Sequence, residues 1–197
     1  MLAERISAKF IVTNPDVIDL PAIIPIFHRW IQEHAVDDVL IDVVDYKHVP
    51  QGPGILLVGH NGVYSLDMAN GQPGLRYRQN RGWPVDTTAG RLRHVIHKAL
   101  EGAQLLELSP ELSGAVSFGT SEIELSFFDR LNAPNDPTSF SILKPELERI
   151  SQLLYETADV EIKLSSSDPR RPLTVNISSP TAPTLPQLLG NLIVVAG

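Results

Sequence analysis

Residues 54–79, GILLVGHNGVYSLDMANGQPGLRYRQ, carry the fold decision. Ile55–His60 is a β-rich run, and Asn61-Gly62 after it has the composition of a type I′ hairpin turn. Val63–Met68 returns, Ala69–Gly74 is a second turn cluster, and Leu75–Gln79 forms the next strand. Turns this short join only antiparallel neighbours, so the stretch predicts an antiparallel sheet. In the last strand Leu75, Tyr77 and Gln79 share one face, and Arg76 and Arg78 share the other.

Working towards the C-terminus, Asp86 has the character of an N-cap for a helix over Thr87–Glu107. Its apolar stripe comprises Leu92, Val95, Ile96, Ala99, Leu100, Ala103 and Leu106. Ala115–Phe118 and Glu122–Phe128 read as strands, and Ile123, Leu125 and Phe127 alternate with polar residues in the second. A helix opens at Asp136-Pro137, is interrupted at Lys144-Pro145 and continues to Glu156. Asp159–Leu164 and Pro172–Ser178 complete the strands. Residues 75–164 therefore have the order strand, helix, strand, strand, helix, strand, which is that of a ferredoxin-like βαββαβ unit with both helices on one face. The expected fold class is α+β, with a mainly antiparallel sheet and helices on one face.

Working towards the N-terminus, Lys9–Asn14, a helix over Pro21–His34 that starts or kinks at Pro25, and Asp38–Tyr46 supply a partial second unit. At an offset of 120, Phe27, Arg29, Trp30 and Gln32 align with Leu147, Arg149, Ile150 and Gln152. Residues 1–178 thus read as a single α+β domain, with 1–70 and 75–164 as candidate duplicated halves. Residues 179–197 form a proline-rich arm, with Pro180, Pro183 and Pro186 ahead of the apolar end Leu192–Ala196. An apolar strand needs a partner, so the arm is expected on a sheet edge or across a homo-oligomer interface.

The 197-residue chain has no cysteine and a net charge of −7. Disulfides, zinc–thiolate sites and cysteine nucleophiles are excluded, and no metal or cofactor is expected. Net negative charge argues against nucleic acid as a partner. Apolar runs are far below the ~18 residues of a membrane helix, and no signal peptide is seen, so a soluble cytoplasmic protein is expected. The charge is uneven: residues 1–72 carry net −5, residues 73–98 net +5, and residues 99–197 net −7.

That basic island contains the anion-binding candidates Arg76, Arg78 and Arg81, since guanidinium groups match carboxylate and phosphate geometry bidentately. The arginines also have a purely structural reading. A hairpin about residues 70–73 sets Asp67 opposite Arg76, and Glu122 and Glu124 of a neighbouring strand face the same side. His60 and Tyr64, flanking the Asn61-Gly62 turn, are the weak acid–base candidates. Ser65 lies in no nucleophile elbow. His94 and His97, spaced i, i+3, fall opposite the apolar stripe and are expected in solvent.

The run Tyr46–His60 (YKHVPQGPGILLVGH), with Asp67 and Gly74-Leu75-Arg76-Tyr77 after it, resembles a bacterial protein family of unknown function. The resemblance implies no activity and transfers no site residue. The expected role is a non-catalytic binding or interaction protein. The alternative is a small enzyme acting on an anionic phosphate or carboxylate metabolite, which requires one pocket holding His60, Tyr64 and at least two of the arginines.

Overall fold

A computed structural model describes residues 2–193. Eight strands form one sheet: β1 (Ile6–Ile11), β2 (Leu40–Tyr46), β3 (Gly54–Gly59), β4 (Gly62–Asp67), β5 (Gly74–Gln79), β6 (Glu122–Phe127), β7 (Glu161–Leu164) and β8 (Leu173–Ser178). Their order is β2-β3-β4-β5-β1-β6-β8-β7, and every pairing is antiparallel. The helices are α1 (Leu20–Glu33), α2 (Thr88–Glu107), α3 (Pro137–Tyr155) and α4 (Leu185–Ile193). The fold is α+β.

Strand alternation creates the core. Ile6, Ala8 and Phe10 of β1, Leu75 and Tyr77 of β5, Ile123, Leu125 and Phe127 of β6, and Leu173, Val175 and Ile177 of β8 are all buried. α2 packs on β1 and β5, α1 on β2 and β3, and α3 on β7. The Trp30 ring of α1 meets Tyr64 edge-on at 5.8 Å, and Tyr64 packs on Tyr77 at 4.6 Å. Gly102 lets α2 approach that pair, since a Cβ there would lie 2.8 Å from Leu75 and 2.9 Å from Tyr64.

The sheet does not show the ferredoxin-like unit expected at 75–164. β1 lies between β5 and β6, and β8 lies between β6 and β7, so no two strands of that segment pair with each other. Both intruding strands come from outside the segment, and local strand–helix order carries no information about such distant insertions. Ala115–Phe118 contributes only an isolated bridge from Phe118 to Val12. Pro25 and Pro145 lie within continuous helices and neither starts nor splits them. Burial of Ile23, Ile26, Phe27 and Trp30 on α1, and of Leu143, Leu147, Ile150 and Leu154 on α3, offsets the lost hydrogen bond. The cap of α2 is Thr87, whose hydroxyl accepts from the Gly90 N–H at 3.1 Å; Asp86 lies one residue too early.

The first hairpin turn also departs from expectation. Val58 pairs with Val63, which puts His60-Asn61 at the tip, and neither Asn61 nor Gly62 has a positive φ. The Asp38 carboxylate takes over the turn, accepting from the N–H groups of Asn61 and Gly62 at 3.2 Å each and from Asn61 Nδ2 at 3.1 Å. Gly62 is required for close approach, because a Cβ there would clash with the Tyr77 hydroxyl and lie 2.8 Å from the Arg78 carbonyl oxygen.

The C-terminal arm is not an edge strand over its described length. α4 packs on α2 and α3, burying Leu185, Leu188 and Leu192, and Asn191 Nδ2 donates to the Leu154 carbonyl at 2.9 Å. Leucines at this spacing share a helical stripe, which α2 and α3 cover. The rest of the apolar end, 194–197, lies outside the described residues.

Candidate functional site

The four helices pack on one face of the sheet, and on the other face cross-strand register arranges polar side chains in rows, of which Ser7, Lys9, Ser65 and Ser126 are buried. One row runs Asn176, Glu124, Lys9, Arg76, Ser65 across β8, β6, β1, β5 and β4. The next runs Thr174, Ser126, Ser7, Arg78, Val63 across the same strands. The register places Ser65 opposite Arg76, two residues from the expected Asp67. The ion pair forms diagonally: Arg76 Nη2 lies 2.8 Å from Asp67 Oδ2 and 2.9 Å from Glu124 Oε1. Asp67 Oδ2 also accepts from Lys9 Nζ at 2.8 Å. Lys9 is 1% exposed, and burial lowers its pKa against the pull of Asp67.

Two carboxylates thus neutralise two cations, and Arg78 is left over. No acceptor among the described residues takes a hydrogen bond from it, and its Nε is buried without a partner. The guanidinium carbon sits 5.4 Å from the Phe128 ring centroid, a cation–π contact. Burial, then the neighbouring charges of Arg76 and Arg5, lower the pKa of Arg78. Beside it in the row, Ser7 Oγ is also buried and unpartnered. Such groups cost free energy unless something accepts or donates to them. A groove of about 290 Å³ opens here between Arg78, Arg76, Leu56, Val63 and Pro53. A second groove, of about 390 Å³, runs on past Glu124, Ser126 and Thr174 to Arg171. The two share Ala69, Arg76 and Phe128.

The other residues singled out from sequence do not join this site. Tyr64 projects to the helix face and is buried; burial raises its pKa well above the usual phenol value. The thickness of the sheet separates it from Arg76 and Arg78. His60 is exposed at the hairpin tip, where its carbonyl accepts from Arg81 Nε at 2.8 Å. Arg81 therefore fastens a turn. The pocket that would unite His60, Tyr64 and two arginines is not formed.

No family model matches the chain, and no curated protein matches it.

A cleft of about 900 Å³ lies at the far corner of the helix face, lined by His34, Asp37, Asp38, His94, His97 and Lys98 among others. Contrary to expectation, both α2 histidines line it. The apolar stripe is not the whole of what α2 packs against, because Tyr77, Gln79 and Trp83 hold His94 from the side. Gln79 is the hub: its Nε2 donates to the carbonyls of Arg81 at 2.7 Å and Gly82 at 3.3 Å, so its Oε1 accepts from the Tyr77 hydroxyl and from His94 Nε2 at 3.2 Å. His94 is thereby fixed as the Nε2–H tautomer. Burial first, then Lys98 and His97, lower its pKa to about 4. A polar residue at an otherwise inward position of β5 was the one sequence signal for this corner. Among the described residues no group of three or more His, Cys, Asp or Glu is placed to hold a metal, and no helix is long and apolar enough to cross a membrane.

Proposed function

We propose that this chain is a binding protein without chemistry of its own, and that it holds an anionic group on the polar sheet face at Arg78. One observation carries this: Arg78 is a half-buried guanidinium with no acidic partner among the described residues, set beside Lys9 and Arg76, whose charges Asp67 and Glu124 match. A carboxylate in the adjacent groove would accept two N–H groups from the guanidinium edge and relieve the desolvated charge. Leu56, Val63, Pro53 and Phe128 would cover the hydrocarbon beside it. These walls favour a carboxylate on an apolar stem over inorganic phosphate.

The corner cleft fits such an anion poorly. Asp37 and Asp38 face it, and the ammonium of Lys98 is tied to Glu101 at 3.1 Å. The neutral His94 is the feature that favours the enzyme reading, and that reading belongs in the corner cleft.

Isothermal titration calorimetry with butyrate and with inorganic phosphate tests the Arg78 site. Butyrate should bind the wild type more tightly than phosphate, and Arg78→Gln should lose at least tenfold in affinity. Equal butyrate binding by the two proteins, with Arg78→Gln folded by circular dichroism, would remove the proposal.

A further inference from the structure

We infer that the corner cleft of the helix face is a second binding site, and that it takes a small organic amine whose ammonium group donates to His94 and Asp37. The site lies on the opposite face of the sheet from Arg78 and does not depend on the reading given there. A cleft of about 900 Å³ is in the size range of small-molecule sites.

The distribution of protons along one wall selects the ligand. That wall is Tyr77, Gln79 and His94. Gln79 Nε2 has two protons, and the carbonyls of Arg81 and Gly82 take both. The Tyr77 hydroxyl spends its proton on Gln79 Oε1, and His94 spends its Nε2 proton on the same oxygen at 3.2 Å. Burial holds the imidazole neutral, with a pKa of about 4, so the ring carries no second N–H at neutral pH. The wall therefore has no side-chain N–H or O–H left to donate. What it keeps is lone pairs, and that of His94 Nδ1 has no partner among the described residues.

Charge points the same way. Asp37 and Asp38 are the carboxylates that line the cleft, and both lie near enough to His94 to pull its pKa upward. Asp38 is committed to the hairpin turn, where Asn61 and Gly62 donate to it. Asp37 is exposed and has no partner among the described residues. The opposing ammonium, Lys98 Nζ, is tied to Glu101 at 3.1 Å. His97 adds no fixed charge, since burial lowers its pKa. An ammonium carries three protons and one charge, so it serves an unpaired carboxylate and an imidazole lone pair together. An anion there would meet lone pairs and like charge. Val36, Val39 and Pro84 supply apolar wall for the carbon stem.

Titration of the full-length protein with butylamine at neutral pH, followed in proton–nitrogen correlation spectra of the histidine rings, tests this. Butylamine should move the His94 Nδ1 signal to a saturating limit. Butanol keeps a donor without the charge, and butyltrimethylammonium keeps the charge without an N–H; each should bind at least tenfold more weakly. By calorimetry, Asp37→Asn should lose at least tenfold in butylamine affinity. His94→Phe should lose as much, while it keeps a ring against Tyr77 and Trp83. Asp37 is exposed, so its variant does not threaten the fold. An unmoved Nδ1 signal, equal binding of either comparison compound, or wild-type affinity in Asp37→Asn would overturn the inference. A Gly-Lys-Gly peptide with blocked ends should bind no more tightly than butylamine; tighter binding would assign the cleft to protein lysines and overturn the small ligand. None of these outcomes bears on butyrate at Arg78, and failure of the butyrate site leaves them unchanged.

Discussion

Asp67 holds two cations on one carboxylate oxygen, and one of them is almost fully enclosed. Lys9 Nζ and Arg76 Nη2 each approach Asp67 Oδ2 at 2.8 Å. Desolvating an ammonium is tolerable only while its counter-ion is present. Asp67→Ala should therefore destabilise the protein by about 3–5 kcal/mol in urea unfolding, since it strands the Lys9 charge. The double variant Lys9→Met, Asp67→Leu should recover most of that loss, because it removes both charges together. A double variant as unstable as the single one would mean that the face depends on Asp67 for something other than pairing. The same comparison makes Arg78 distinct: it lies in the same ladder, and its charge has no such partner among the described residues.

At the scale of the element, α2 carries the titratable group with the largest consequence. His94 titrates near 6.5 in an ordinary setting and at about 4 in the folded chain. Between those values the unfolded chain binds more protons than the folded one, so stability rises with pH across that window. The contribution of His94 is complete above pH 6.5 and disappears as pH falls towards 4. Burial is the largest cause; Lys98 and His97 lower the pKa further, and Asp37 and Asp38 oppose them. His94→Gln removes this titration. The stability difference between wild type and His94→Gln, measured by urea unfolding at pH 7 and pH 5, should shift against the wild type at pH 5. A difference independent of pH would contradict the buried neutral imidazole. His97 is also lowered, chiefly by burial, and stays in both proteins, so it does not confuse the comparison.

For the whole molecule, the division of labour is between the two faces of one sheet. Four helices cover one face, and the other presents its polar ladder. The described part of the C-terminal arm, α4, belongs to the covered side, where Leu188 is fully buried. Leu188→Ala should cost about 2–5 kcal/mol, as for other buried leucines cut to alanine. The mass by light scattering should not change with it. A change in mass with an unchanged urea midpoint would show that the arm serves contacts between copies of the chain. At one edge of the sheet, β2 carries a register shift between Leu40 and Asp42, an irregularity that hinders pairing with a further strand.

The amino-acid sequence determined most of the elements and their faces, Ala115–Phe118 and the C-terminal arm excepted. Alternation in Glu122–Phe128 and Leu75–Gln79 placed Ile123, Leu125, Leu75 and Tyr77 inward and Arg76, Arg78 and Glu124 outward, because side chains in a strand alternate whatever lies beside them. Heptad-like spacing located α2 for the same local reason. The structure placed Arg76 and Arg78 together on one face as the alternation indicated, and it separated them from Tyr64 by the same rule. Tertiary structure alone decided which strands are neighbours. β1 pairs with both β5 and β6, so Lys9 meets Asp67, 58 residues away, and Glu124 reaches Arg76 across β1. No local pattern encodes that insertion, because it depends on how buried area is shared among all the strands. Whether a given arginine is matched or left over depends on those distant neighbours, and that is why Arg78 stands out only once the sheet is assembled.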